Sequence, residues 1–317
     1  MGTYILKRLG QTVVVLLVVS IGIFFLMNLL PGDPVYAMLG EEITQEQYDL
    51  TYHELGLDKP VLQRYFDWLL GALRGDFGKS MQSRVDVSEL LAKRVPITIY
   101  LSTLSFLISV PIGIFFGVIS AVYRGKTVDT VVTLLSNICA CLPQFWIAIL
   151  LLYLFAMKLH VLPSFGFTWF YEDFSTSFKQ LVMPLFCLSL GGIAGTTRQT
   201  RSSMLEVIRQ DYIRTARSKG LKEKRVIYIH ALKNALIPVV SVLGMRLAHL
   251  VGGSMFVESV FAIPGMGSLF VSAISSRDIP VVQACVLLTA FVSCIAYIIT
   301  DIMYVIVDPR IQLQKGA

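Results

Sequence analysis

The chain has 317 residues, 55% of them apolar and 15% charged, with a mean hydropathy of +0.69. A soluble domain carries about a quarter charged residues, so this composition excludes one and points to a membrane protein. The formal net charge of +6 would suit nucleic acid, but the cations stand beside apolar runs, where they act as anchors on the cytoplasmic side, and no nucleic-acid partner is expected.

In chain order, residues 9–32 form an uncharged run long enough to span a bilayer. The run is too long for the apolar region of a signal peptide and lacks a small-residue cleavage site, so residues 1–32 are expected to stay as a transmembrane helix. Residues 33–94 read as an extracytoplasmic helical insertion. Thr44-Gln45-Glu46-Gln47 is a capping box that opens a short helix toward Gly56. Pro60 sits where a second helix begins, with Val61, Tyr65, Trp68, Leu69 and Ala72 on one face and Gly75 at its end. The insertion is too small for a core of its own. It serves either as a surface for an extracytoplasmic partner or as a plug for the outer mouth of the bundle. Gly75-Asp76-Phe77-Gly78-Lys79-Ser80 imitates a phosphate-binding loop, but the first glycine of that motif would fall at Leu73, and no apolar strand precedes it.

Five further spans follow at 95–123, 130–157, 180–197, 234–257 and 279–307, which make 95–307 a membrane core and 308–317 a cytoplasmic tail. Six spans put both termini on one side. With the termini inside, the inner segments hold sixteen basic and five acidic residues and the outer ones ten and fifteen, as the positive-inside rule requires. The five cysteines, Cys139, Cys141, Cys187, Cys285 and Cys294, all lie in apolar runs and read as reduced small hydrophobes. The four histidines are scattered, and no zinc, nucleophile-elbow or paired-cysteine signature occurs. An intramembrane protease built on Ser254 and His249 has poor geometry, five residues apart on one helix. No catalytic residue, metal site or cofactor is therefore expected in this chain.

The inner loop 198–233 carries ten Lys/Arg against three Asp/Glu. From Met204 the apolar positions Leu205, Ile208, Tyr212, Ile213 and Ala216 recur at helical spacing, with Arg209, Arg214, Arg217 and Lys219 on the other faces. Gly220 is placed to be a C-cap glycine, and a second helical pattern runs from Val226 into the next span. A lipid-binding tail needs neither amphipathic order nor a terminal glycine. The loop therefore reads as a docking surface for a soluble partner.

Arg214-Thr215-Ala216, three residues and then Gly220 resembles the coupling motif of ABC importer permeases, with arginine at the position of its usual glutamate. Arg201-Ser202-Ser203-Met204-Leu205-Glu206, Asp211 through Leu221, and His230-Ala231-Leu232-Lys233-Asn234-Ala235 followed by Pro238 are similar to the peptide/nickel branch of that family. So are Pro31-Gly32-Asp33-Pro34, Leu55-Gly56-Leu57-Asp58-Lys59-Pro60, Pro264-Gly265-Met266-Gly267 and Asp308-Pro309-Arg310. The resemblance implies an all-α, six-helix type I importer fold in a bacterial inner membrane. It also implies a second permease, two ATPases that bind the ATP and Mg, and an extracytoplasmic substrate-binding protein. Tyr212, Arg214, Thr215, Ala216, Lys219, Gly220 and Leu221 would then make the coupling surface.

Charges within spans are costly and usually functional. Arg246 and His249 in the fifth span and Asp301 in the sixth are candidates for the substrate pathway, and an Arg246–Asp301 pair holding the bundle together is the competing role. Di- or oligopeptides are the expected substrates, with nickel or metal chelates as the alternative. A stand-alone secondary transporter would show internal repeats, of which none is clear, and a membrane scaffold would not need ionisable residues in its spans. Labelling of Gln47→Cys and Lys222→Cys should occur from opposite sides of the membrane. Labelling of both from outside would overturn the six-span arrangement.

Overall fold

The computed structural model describes residues 2–29, 31–40 and 42–307, without the side chains of 2–5, 7, 37, 241, 247–251 and 302–307. The Asp308-Pro309-Arg310 motif and the expected 308–317 tail lie outside the described residues. Among those described, the chain is helical, with one isolated β-bridge between Lys79 and Asp86. The described residues divide into two compact units, one from within 2–98 and 264–294, the other from 99–263 and 295–307.

The first unit begins with α1 (Gly2–Asn28), followed by α2 (Pro34–Leu39), α3 (Gln45–Glu54) and α4 (Val61–Leu73). The capping box is present at α3, where Thr44 and Gln47 satisfy each other's backbone N–H. Asp33 caps α2 through Val35 N and accepts from the Tyr48 hydroxyl at 2.7 Å, a bond that pushes the Tyr48 pKa up to about 12. α4 starts after Pro60 and stops ahead of Gly75, which adopts φ +83°. Tyr65 on α4 is buried, accepts or donates to Ser20 at 2.9 Å, and stacks edge-on against Phe24 of α1. The segment that imitates a phosphate loop instead seats on Asp278. That buried carboxylate accepts from Ser80 Oγ at 2.5 Å and from the backbone amides of Met81 and Gln82. α5 (Val87–Val122) follows, and later in the chain α13 (Met266–Ser275) and α14 (Ile279–Val307); Met266 N donates to Thr98 at 2.8 Å.

In the second unit, α6 (Thr127–Cys141) and α7 (Gln144–Leu151), continued by a π-helical stretch to Lys158, meet at a 99° bend. The expected straight span over 130–157 is therefore broken. Proline at 143 lacks an N–H and forces Leu142 out of the helical region, to ψ 128°. α8 (Phe174–Val207) is longer than the predicted 180–197; Asp173 caps its start, accepting from Ser175 N and Thr176 N. Its polar residues hid its ends in the hydropathy pattern. The expected helix from Met204 to Gly220 is also interrupted: α8 ends at Val207 and α9 (Asp211–Ser218) begins after a turn. A three-residue helix α10 (Glu223–Arg225) and a π-helical turn (Val226–Ala231) lead into α11 (Leu232–Gly253) and α12 (Met255–Val260). Among the described residues, five helices are long and apolar enough to cross a bilayer, or six if the bent α6–α7 pair is one span.

The seam between α5 and α8 is built from small residues. On α5, Ser102, Ser105, Ser109, Gly113 and Gly117 recur every three or four positions, and the serines are buried. A Cβ at Gly113 would lie 2.5 Å from Thr196 Cβ, and one at Gly117 2.5 Å from Thr200 Cβ. Ser189 Oγ donates to Ser105 O at 3.2 Å across the seam. In lipid, where no hydrophobic force drives helices together, such close approach supplies the attraction. Gly117→Val should therefore destabilise the isolated chain by about 1–3 kcal/mol, read as a lower thermal midpoint in detergent. Gly22→Val, placed where nothing lies within 4 Å, should leave the midpoint unchanged.

Candidate functional site

α9 is only eight residues long, too short to persist alone. It is held by its seat. Ile213 is fully buried and Ala216 is 8% exposed, in a cluster with Val118 and Ala121 of α5, Met204 of α8, Val226, Ile227 and Ala231 of the π turn, and Ala235 of α11. Leu221 packs partly buried against the same cluster. The opposite face presents Tyr212, Arg214, Thr215 and Lys219 to the outside. Asp211 in the first turn and Arg217 in the last both favour the helix dipole.

The exit from α9 is fixed as firmly as its seat. Gly220 takes φ +75° with nothing within 4 Å of a Cβ position, the left-handed turn that glycine adopts without strain. Arg217 grips Glu223 with two hydrogen bonds, at 3.2 and 2.7 Å, across that turn. Asn234, in α11, donates to the Tyr212 hydroxyl at 2.8 Å. The sequence candidates thus separate by orientation. Tyr212, Arg214, Thr215, Lys219 and Gly220 are outward, whereas Ala216 and Leu221 face the chain's own core. Ala216 was expected at the contact with a partner; its position makes it an anchor.

Sequence reasoning missed the group beneath this seat. Arg201 of α8 forms a bidentate pair with Asp129 of α6, Nε to Oδ1 at 2.7 Å and Nη2 to Oδ2 at 2.9 Å. Asp129 also accepts from Ser120 Oγ of α5 at 2.6 Å and from Gly125 N at 3.0 Å. One buried carboxylate therefore ties three helices and the α5–α6 turn together, and charge-assisted bidentate pairs are the strong ones. A carboxylate immediately ahead of one apolar run, with an arginine just past the end of the next, was the available signal.

Arg246 of α11 lies against α8. Its guanidinium donates to the backbone oxygens of Gly192 and, at 3.1 Å, Gly191, and to Thr196 Oγ1 at 3.2 Å. A side chain at Gly195 would overlap it, so Gly191-Gly192-Ile193-Ala194-Gly195 forms a notch in which the arginine lies. The helix that carries Asp301 meets α11 one residue earlier, where buried Thr300 donates to Gly244 O at 2.7 Å; Asp301 itself is half-buried. The side chain of His249 lies outside the described residues.

Residues 113–313 match the family described as binding-protein-dependent transport system inner membrane component, and residues 1–102 match its N-terminal component. A putative peptide transport system permease protein of Brucella abortus is 42% identical over 312 residues, covering 98% of this chain and 99% of that protein. The oligopeptide transport system permease protein AppB of Bacillus subtilis is 38% identical, covering 98% and 100%. Among solved structures, the inward-facing MetNI methionine ABC transporter aligns at a TM-score of 0.57 and 19% identity over 69% of this chain and 96% of that one. That likeness carries the fold, a type I importer permease. With nearly its whole length matched, the chain belongs to the binding-protein-dependent transport system inner membrane component family, the multi-pass permease subunits of ABC importers.

Proposed function

We propose that this chain forms half of a translocation pathway for di- or oligopeptides, and that α9 docks in a cleft on a cytoplasmic ATPase that binds the ATP and Mg. The observation that carries the reading is the division of α9 into a buried and an outward face on one rigid seat. Closure of two ATPases pushes on Tyr212, Arg214, Thr215 and Lys219. Because Ile213 and Ala216 are packed against residues of α5, α8, the π turn and α11 together, the push moves those helices as one body. A second permease completes the pathway, and an extracytoplasmic binding protein delivers substrate to the side that carries residues 33–94. The termini and the 198–233 loop lie inside. The peptide names of the relatives favour peptides over nickel or metal chelates.

In this arrangement Arg246, with His249 and Asp301, is the charged group of the pathway. Three of the five guanidinium N–H groups are engaged by Gly191, Gly192 and Thr196, which leaves donors for a substrate carboxylate.

Two measurements test the proposal. Tyr212→Ala with Arg214→Glu should leave assembly intact and lower substrate-stimulated ATP hydrolysis by about tenfold or more, as loss of a docking contact would. Ala216→Glu buries a charge in the seat and Gly220→Val imposes a left-handed strain of about 1 kcal/mol on a branched residue; both should uncouple hydrolysis from transport, whereas Lys222→Ala should be nearly silent. Full substrate-stimulated activity in all of these variants would remove α9 from the coupling role. For the pathway, Arg246→Ala should cut labelled-peptide uptake in vesicles while the ATPases still co-purify. Loss of membrane insertion instead would make the residue structural.

A further inference from the structure

The first unit contains a cavity of about 660 Å³ that the transport reading does not use. Its wall includes Asn28 at the end of α1, the 31–34 turn, the loop around Gly56, Arg64 and Trp68 of α4, and Arg277. Pro31-Gly32-Asp33-Pro34 and Leu55-Gly56-Leu57-Asp58-Lys59-Pro60, separate in sequence, both contribute to it.

The acids around the cavity are mostly engaged. Asp67 holds Lys59 at 2.8 Å, and both oxygens of Asp33 accept hydrogen bonds, from Val35 N and Tyr48. Glu54 stands exposed in its wall. The donors are not matched. Arg277 gives one N–H to Pro31 O at 3.3 Å. Arg64 is half-buried and has no hydrogen-bond or ion-pair partner among the described residues, and burial draws its pKa below the ordinary arginine value. Trp68, one turn further along the same face of α4, has a buried indole N–H with no partner among the described residues. A half-buried guanidinium without a counter-charge and a buried N–H without an acceptor are both unfavourable, and an anion relieves both.

The outer side of α4 indicates where that anion comes from. Leu62, Phe66, Leu70 and Leu73 follow helical spacing and are all exposed, and so are Leu26 and Leu29 at the neighbouring end of α1. α4 packs on that end of α1 through Tyr65, Trp68 and Phe24. A helix with such a stripe, docked beside the end of a membrane span, lies in the bilayer interface.

We propose that α4 is an interfacial helix and that the cavity binds the phosphate of a phospholipid headgroup through Arg64 and Arg277, with Trp68 beside it, while the Leu62–Phe66–Leu70–Leu73 stripe on the opposite face of α4 beds the helix in the bilayer. This inference does not depend on substrate or coupling. The test is native mass spectrometry of the assembled transporter, delipidated and then titrated with dioleoylphosphatidylglycerol, with inorganic phosphate in a parallel arm. One tightly held phospholipid is expected, weakened at least about tenfold by Arg64→Gln, as loss of a charge-assisted bond would require. Phe66→Ser should also weaken it, and inorganic phosphate should bind far more weakly. Equal retention in wild type and Arg64→Gln would overturn the proposal, and so would inorganic phosphate binding as tightly as the lipid. Should Arg64→Gln fail to assemble, Arg277→Gln decides by the same reading.

Discussion

Close contact between α5 and α8 is the constraint from which the second unit is built. A bilayer gives two apolar helices no reason to prefer each other over lipid, so their association rests on dispersion contacts at short range and on hydrogen bonds shielded from water. Gly113 and Gly117 let the backbones approach until Thr196 and Thr200 fill the space that a Cβ would need. At the end of the seam, Asp129 gathers Ser120, Gly125 and Arg201. A buried carboxylate is acceptable there because five donors surround it, Thr133 Oγ1 among them, and removal of the arginine alone would leave an uncompensated charge. The seam sets the axial position of α8, and α8 in turn supplies Met204 to the seat of α9 and the glycine notch to Arg246.

The seat shows how a short helix is held rigid. Eight residues cannot hold a helical conformation by propensity, so α9 is helical because Ile213 and Ala216 are packed on atoms from four other elements. Its stiffness is borrowed from those elements. Its exit is closed by Arg217 and Glu223, and its entrance is a short turn, residues 208–210, from the end of α8.

Much of this was legible in the residues. Local rules gave the α3 capping box, the Pro60 start and Gly75 stop of α4, and the left-handed Gly220, because each depends on atoms within one turn. What escaped depended on contacts between distant segments. The apolar pattern runs smoothly through Leu142 and Pro143, so the bend was hidden although the proline was in view. The threonines and arginines that end α8 read as loop until Asp129 is seen opposite Arg201. Amphipathic spacing put Ala216 on the apolar face of α9, whereas the resemblance to the coupling motif put it at a partner's surface; in the structure it packs in the core.

The π-helical turn between α10 and α11 has a consequence for how the chain tolerates change. Val226, Ile227 and Ala231 all reach the core because an i→i+5 ladder carries one more residue per turn than an α-helix. Deleting one residue would return the turn to α geometry and rotate all of α11 by roughly 100° with a 1.5 Å translation. Arg246 would then leave the glycine notch, and Gly244 would no longer meet Thr300. The number of residues between Gly220 and Arg246 is therefore as fixed as their identities.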